Sequence, residues 1–151
     1  MTMRDILSGV AHDSDGTMAI ETAIVTTALA MLSLGSFQVS SFVVRQHELQ
    51  AAAAEGAAIA LAAKPDTNQK LNTIQSILET STGLANNNVS VDFIYRCGTT
   101  ATMQNSPTCN GGQQTWTFVR IQMSDTYTPV WSAYGIGSAI NLGVYRTVQI
   151  Q

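Results

Sequence analysis

The sequence predicts an α+β chain, with one long N-terminal helix continuing into a small domain that holds a second helix and an antiparallel sheet of about three strands. Three observations carry this prediction. An uncharged run of 23 residues lies between Glu21 and Arg45. Strong helix-forming sequence, RQHELQAAAAEGAAIALAAK, follows it as far as Lys64-Pro65. From Val89 onward the helical spacing gives way to alternating apolar and polar residues.

The first element is the uncharged run. At about 1.5 Å per residue it spans roughly 35 Å as a helix, enough for a bilayer core of about 30 Å. Thr22, Thr26, Thr27, Ser33, Ser36, Gln38, Ser40 and Ser41 interrupt it. Hydroxylated and small residues suit a helix that packs on other helices, so the run reads as membrane-compatible but made for protein contact. Two other readings fit less well. A cleavable secretory signal needs a basic flank and a small-x-small cut site. Here RDILSGVAHDSD holds one arginine and three aspartates, and no A-x-A pattern stands near Gly35. A buried helix of a soluble domain is the other. The acidic flank leaves orientation unspecified by the positive-inside rule.

Glu21 opens the run. A glutamate in a first helical turn gains about 0.3–1 kcal/mol from the helix dipole, which is the plain explanation. An ionisable group at the edge of a span also normally has a partner. If the chain were cut after Gly16, Thr17 would carry a new α-amine and Glu21 would be the fifth residue of the product. Its carboxylate could then pair with the amine of a neighbouring subunit, where low dielectric makes an unpaired charge costly.

Beyond Arg45 the helix is expected to continue. Ala52, Gly56 and Ala60 recur every four residues, as do Ala54, Ala58 and Ala62. Such small faces admit a close neighbour, either the protein's own sheet or sister subunits. His47 stands beside Glu48, but no second histidine follows to complete HExxH. A second helix is predicted over 67–81, capped by Asp66 or Thr67, with Leu71, Ile74, Ile77 and Leu78 on one face and Gly83 as its stop. ANNNV then reads as a loop, and the Asn88-Val89-Ser90 sequon within it as incidental.

Val89, Val91, Phe93 and Tyr95 alternate with polar residues and predict a first strand. TWTFVRIQM (115–123) predicts a second, partly apolar on both faces. Leu142, Val144, Val148 and Ile150 share a face of a third. Trp116, Phe118 and Trp131 read as core or edge packing. The stretch 127–138, YTPVWSAYGIGS, reads as a loop with exposed aromatics and hence a binding surface. Its Gly135 and Gly137 do not continue into a phosphate-binding pattern. Cys97 and Cys109 flank a polar, turn-prone loop that ends in Asn110-Gly111-Gly112. They are either two free thiols or, if the segment is exported, a disulfide whose closure contributes roughly 3 kcal/mol. Two cysteines with no nearby histidine fall short of a zinc site, so no metal or other cofactor is expected.

Composition narrows the function. Charged residues make up 11% of the chain, against about 25% for an average soluble domain. The net charge is −3, which removes the electrostatic case for nucleic acid. The seven basic residues are scattered, unlike a polybasic lipid-binding patch. No paired carboxylates, Ser-His-Asp set or Cys-His dyad suggests an enzyme.

Two stretches resemble a known family. Gly16 followed by TMAIE, with an apolar helix behind it, resembles a type IV prepilin peptidase site. RQHELQAAAAEGAAIALA (45–62) resembles the stretch after the span in TadE-like minor pseudopilins of the tight-adherence (Tad, Flp, type IVc) pilus, with Leu49, Gln50, Ala52, Ala53, Glu55, Gly56 and Ala57 on the pattern. The resemblance covers residues 14–63, about a third of the chain. YTPVW (127–131) and NLGVYRTVQI (141–150) are loosely similar to the family's closing strands.

The resemblance implies a pilin-like fold and four segments: a leader over 1–16, a transmembrane helix over 17–44, its extracytoplasmic continuation over 45–63, and an α+β domain over 64–151. It implies cleavage between Gly16 and Thr17 by a membrane aspartyl peptidase. It implies a single pass through a bacterial inner membrane, with the domain outside the cytoplasm and lipid around the span. The implied partners are the prepilin peptidase, other Tad pseudopilins, the Flp major pilin and the inner-membrane assembly platform. The acidic leader departs from the basic leaders of pilins, and His12 would leave with it. The alternative is an uncleaved, membrane-anchored periplasmic binding module.

Overall fold

The computed structural model describes residues 14–135 and 138–151. Of the expected leader only residues 14–16 are described, as helix backbone; His12 and Gly137 lie outside the described residues. The chain divides into two compact units, one ending at Ser41 and one running from Phe42 to Gln151.

Helix α1 (Ser14–Ala63) supplies the described part of the first unit and enters the second. It is 50 residues long. It ends where Lys64 adopts a left-handed conformation, φ 43°, while its N–H still bonds Ala60 O at 3.0 Å. Pro65 then prevents any continuation.

In the second unit α2 (Asn68–Thr82) lies close to its expected span. Thr67 holds the N-cap position but makes no side-chain capping bond. Asp66 instead pairs with Lys70 at 2.9 Å. That hydrogen bond holds the Asp66 carboxyl below its ordinary value. Gly83 closes the helix in the left-handed region, φ 68°, donating to Glu79 O. Leu71, Ile74 and Leu78 form the buried stripe, spaced by three and four residues. Ile77 was expected on that stripe and is not; it is 43% exposed, because its position rotates it off the seam.

The sheet has four strands rather than three. They are β1 (Val89–Cys97), β2 (Met103–Gln104), β3 (Thr115–Tyr127) and β4 (Ile140–Gln149), in the order β2-β1-β3-β4 and antiparallel throughout. Register pairs Val91 with Ile121 and Met123 with Val144. Val89, Val91, Val119, Ile121, Met123, Leu142 and Val144 bury one face against Leu49, Ala52, Ala53 and Ala60 of α1 and the stripe of α2.

The opposite face has its own patch. Ile94 pairs with Phe118, and both are buried. The Arg96 guanidinium lies 5.3 Å from the centre of the Phe118 ring and covers it. This explains why β3 carries buried residues on both faces. ANNNV contains a short 3-10 turn, Asn86–Asn88, rather than an irregular loop. The 127–138 stretch likewise holds a 3-10 turn, Val130–Tyr134, with Trp131 half-buried. Tyr127 packs edge-on to Phe42 at 5.9 Å. Among the described side chains of this stretch Tyr127 and Trp131 are half-buried, and Val130 is 63% exposed.

Candidate functional site

The candidate site begins on the first unit. From Met18 to Val44 the apolar side chains of α1 are largely exposed on every side, including Ile24, Leu29, Leu32, Phe37 and Val39. This is one helix long and apolar enough to cross a membrane. Its hydroxyls are satisfied locally. Thr22, Thr27, Ser33, Ser36 and Ser41 each donate to the carbonyl four residues back, at 2.8 to 3.0 Å. The hydrogen-bonding demand of these five is thus met within the helix. Glu21 is exposed on this helix and has no ion-pair partner among the described residues. Gly16 and Thr17 lie in its first turn as helix backbone.

Arg45 closes the uncharged run and fixes α1 to the domain. Its Nε donates to Asp125 Oδ2 of β3 at 2.6 Å and its Nη1 to Glu48 Oε2 at 3.1 Å. Both Nη atoms donate to Thr82 O at 3.2 Å. Thr82 is the last residue of α2, so a cation satisfies the carbonyl end of that helix. The hydrogen bond that Arg45 donates to Asp125 raises the Arg45 pKa above its ordinary value, against the opposing effect of burial. One guanidinium thus joins α1, the end of α2 and β3. Sequence reasoning missed this. The available signal was that Arg45 is the sole lysine or arginine between Arg4 and Lys64, and Asp125 the sole acid of β3.

The two small-residue faces part company. Ala52, Gly56 and Ala60 are turned inward and buried. A Cβ built on Gly56 would lie 3.0 Å from both Ile121 Cδ1 and Leu78 Cδ1, so this glycine sets how closely α1 approaches α2 and β3. Ala54, Ala58 and Ala62 are exposed. His47 is exposed beside Glu48, whose carboxylate is taken by Arg45.

Cys97 and Cys109 form a disulfide, with Cα atoms 5.6 Å apart. The loop they close contains β2, which pairs with Tyr95 and Arg96 of β1. The Gln104 amide knits the loop, reaching Ser106 O at 2.8 Å, Thr108 O at 3.1 Å and Cys97 Sγ at 3.1 Å. Thr115 donates to Cys109 Sγ at 3.2 Å.

These residues do not converge on one cavity. Glu21 belongs to the first unit, while Arg45, Gly56 and the disulfide belong to the second. Comparison with curated proteins and with solved structures returned no match. A family model does match: TadE, described as TadE-like protein, over residues 16–58. The matched segment starts at Gly16, takes in Glu21 and Arg45, and ends two residues beyond Gly56, entirely within α1. Over residues 16–58, under a third of its length, the chain is similar to TadE-like proteins.

Proposed function

We propose that the protein is a minor pseudopilin that takes part in assembling a Tad-type pilus, after a prepilin peptidase removes residues 1–16. The observation that carries this reading is a coincidence on one helix. The TadE-like match covers residues 16–58, and the same stretch holds the exposed apolar run bounded by Glu21 and Arg45. The role is structural rather than catalytic.

The mechanism follows from charge and solvent. Cleavage after Gly16 creates an α-amine on Thr17, four residues before Glu21. Glu21 has no ion-pair partner among the described residues, and a carboxylate at the border of a span is costly to leave alone. The amine of an adjoining subunit supplies the partner. The pair favours one axial register between helices because a shifted register leaves two unpaired charges in low dielectric. Arg45 then ties the emerging helix to its domain on the far side of an inner membrane. The partners in this reading are other Tad pseudopilins, the Flp pilin and the assembly platform.

N-terminal sequencing of the protein from its host tests the reading, with Thr17 expected as the first residue. Gly16→Leu is expected to leave the full-length precursor. Glu21→Ala is expected to be cleaved normally yet to be lost from sheared pili. A chain beginning at Met1 would overturn the processing step. Normal incorporation of Glu21→Ala would overturn the charge pairing.

A further inference from the structure

We propose that Asn110 is a self-modifying site, which loses its side-chain amide without an enzyme and leaves aspartate or isoaspartate in an exposed turn beside the Cys97–Cys109 bridge. This inference goes beyond the pilus reading and does not depend on it.

Asn110-Gly111 is the one Asn-Gly pair in the chain. The reaction needs the main-chain nitrogen of the following residue to reach the carboxamide carbon of the asparagine. Glycine has no Cβ to shield that nitrogen. The fold leaves the approach open as well. Asn110, Gly111 and Gly112 are all exposed, and a Cβ built on either glycine would meet nothing within 4 Å. Gly111, at φ 72°, kinks the 3-10 turn Asn110–Gly112. Two i→i+3 bonds close a three-residue turn of this kind, and their donors are its third residue and the residue after it. The N–H of Gly111, the second residue, is not part of that pattern. Among the described residues no side-chain hydrogen bond holds the Asn110 carboxamide. Asn141 differs, since its Oδ1 accepts from Thr126 at 3.2 Å.

The chemistry balances with water alone. The Gly111 amide gives its proton to solvent base, and its nitrogen attacks Asn110 Cγ. The new N–Cγ bond closes a succinimide, the Cγ–Nδ2 bond breaks, and ammonia leaves after taking up a proton. Water then adds to one of the two ring carbonyls. Addition at Cγ reopens the ring to aspartate. Addition at the main-chain carbonyl carbon carries the chain through the side chain and leaves isoaspartate. One water is consumed, one ammonia is released, and nothing is oxidised or reduced.

The surroundings give the product its weight. Residues 97–119 hold no Asp, Glu, Lys, Arg or His. The new carboxylate is therefore the first charge in that stretch, and it is ionised at neutral pH. The isoaspartyl form also adds a methylene to the main chain between Cys109 and the start of β3 at Thr115. The tip of the domain thus changes in charge and chain length with the age of the molecule.

The test ages the oxidised full chain in detergent micelles made with heavy-oxygen water, at two pH values about one unit apart, and follows each asparagine by peptide-mapping mass spectrometry. Asn110 is expected to convert at least about tenfold faster than any other asparagine in the chain, to take up solvent oxygen and to yield isoaspartate together with aspartate. Its rate should rise about tenfold over the pH step, because the nucleophile is a deprotonated amide. An open turn costs almost nothing to expose, so the rate should stay within about threefold of that in the urea-unfolded chain. Gly111→Ala should slow conversion by about tenfold through the added Cβ, and Asn110→Gln should abolish it with the unfolding midpoint unchanged. Another asparagine converting first, aspartate without isoaspartate, a folded rate about tenfold or more below the unfolded one, or an unchanged rate in Gly111→Ala would each overturn the proposal.

Discussion

Replacing Arg45 with methionine should destabilise the Phe42–Gln151 unit by about 2 kcal/mol. The magnitude comes from the bonds lost. The contact with Asp125 is charged and short, with side chains 27% and 22% exposed, so the lower end of the range for charged hydrogen bonds applies, about 1.5 kcal/mol. Glu48 is 56% exposed, and its pair with Arg45 contributes at most about 0.5 kcal/mol. Losing the donors to Thr82 O leaves a helix-end carbonyl without its cation, worth about 0.5 kcal/mol. Methionine keeps the aliphatic stem and returns a little of this through packing. The assay is urea unfolding of the full chain in detergent micelles, followed by fluorescence of Trp116 and Trp131, both within this unit. A double-mutant cycle with Asp125→Asn should give a coupling energy of about 1 kcal/mol, whereas Glu48→Gln should stay within about 0.5 kcal/mol of the wild type. Additive effects of Arg45→Met and Asp125→Asn, to within about 0.3 kcal/mol, would refute the bridge as an energetic link.

Three further outcomes can be checked on the same preparation. Gly56→Leu should lose about 3 kcal/mol by forcing Ile121 and Leu78 apart, while Gly56→Ala should stay within about 1 kcal/mol because helix propensity offsets the tight Cβ. The oxidised chain should show no alkylatable thiol by mass analysis under non-reducing conditions, and the paired change Cys97→Ser with Cys109→Ser should lower stability by about 3 kcal/mol. The depressed Asp66 carboxyl contributes stability that is present above its unfolded value and lost as pH falls through its lower folded value. NMR titration should therefore place Asp66 below 3.8, and Lys70→Met should move it back up.

The elements most legible in the sequence were those specified by local pattern. The uncharged run and the alanine-rich stretch behind it set α1, and Pro65 set its end. Gly83 marked the stop of α2 because a positive φ is required there. β2 was missed because two residues carry no periodicity; its pairing depends on the loop closed by Cys97 and Cys109. Ile77 was misplaced because apolar character was read without its angular position. The Arg45–Asp125 contact joins residues 80 apart, and no local rule connects them. Of the candidate site, the resemblance to TadE-like proteins was legible along α1, and the family match over residues 16–58 bears out that resemblance. The division of labour between the two alanine faces was not, since both have the same spacing and only the position of Leu78 and Ile121 separates them.

The five back-bonded hydroxyls of α1 bear on how such a helix changes surroundings. A serine or threonine that depended on a neighbour would have to surrender that bond whenever the neighbour left. Thr22, Thr27, Ser33, Ser36 and Ser41 carry their acceptors with them. Passage between hydrocarbon and a packed assembly then breaks none of these bonds. In the proposed assembly, selection between the two surroundings would then rest on the shape of the helix and on its charged ends.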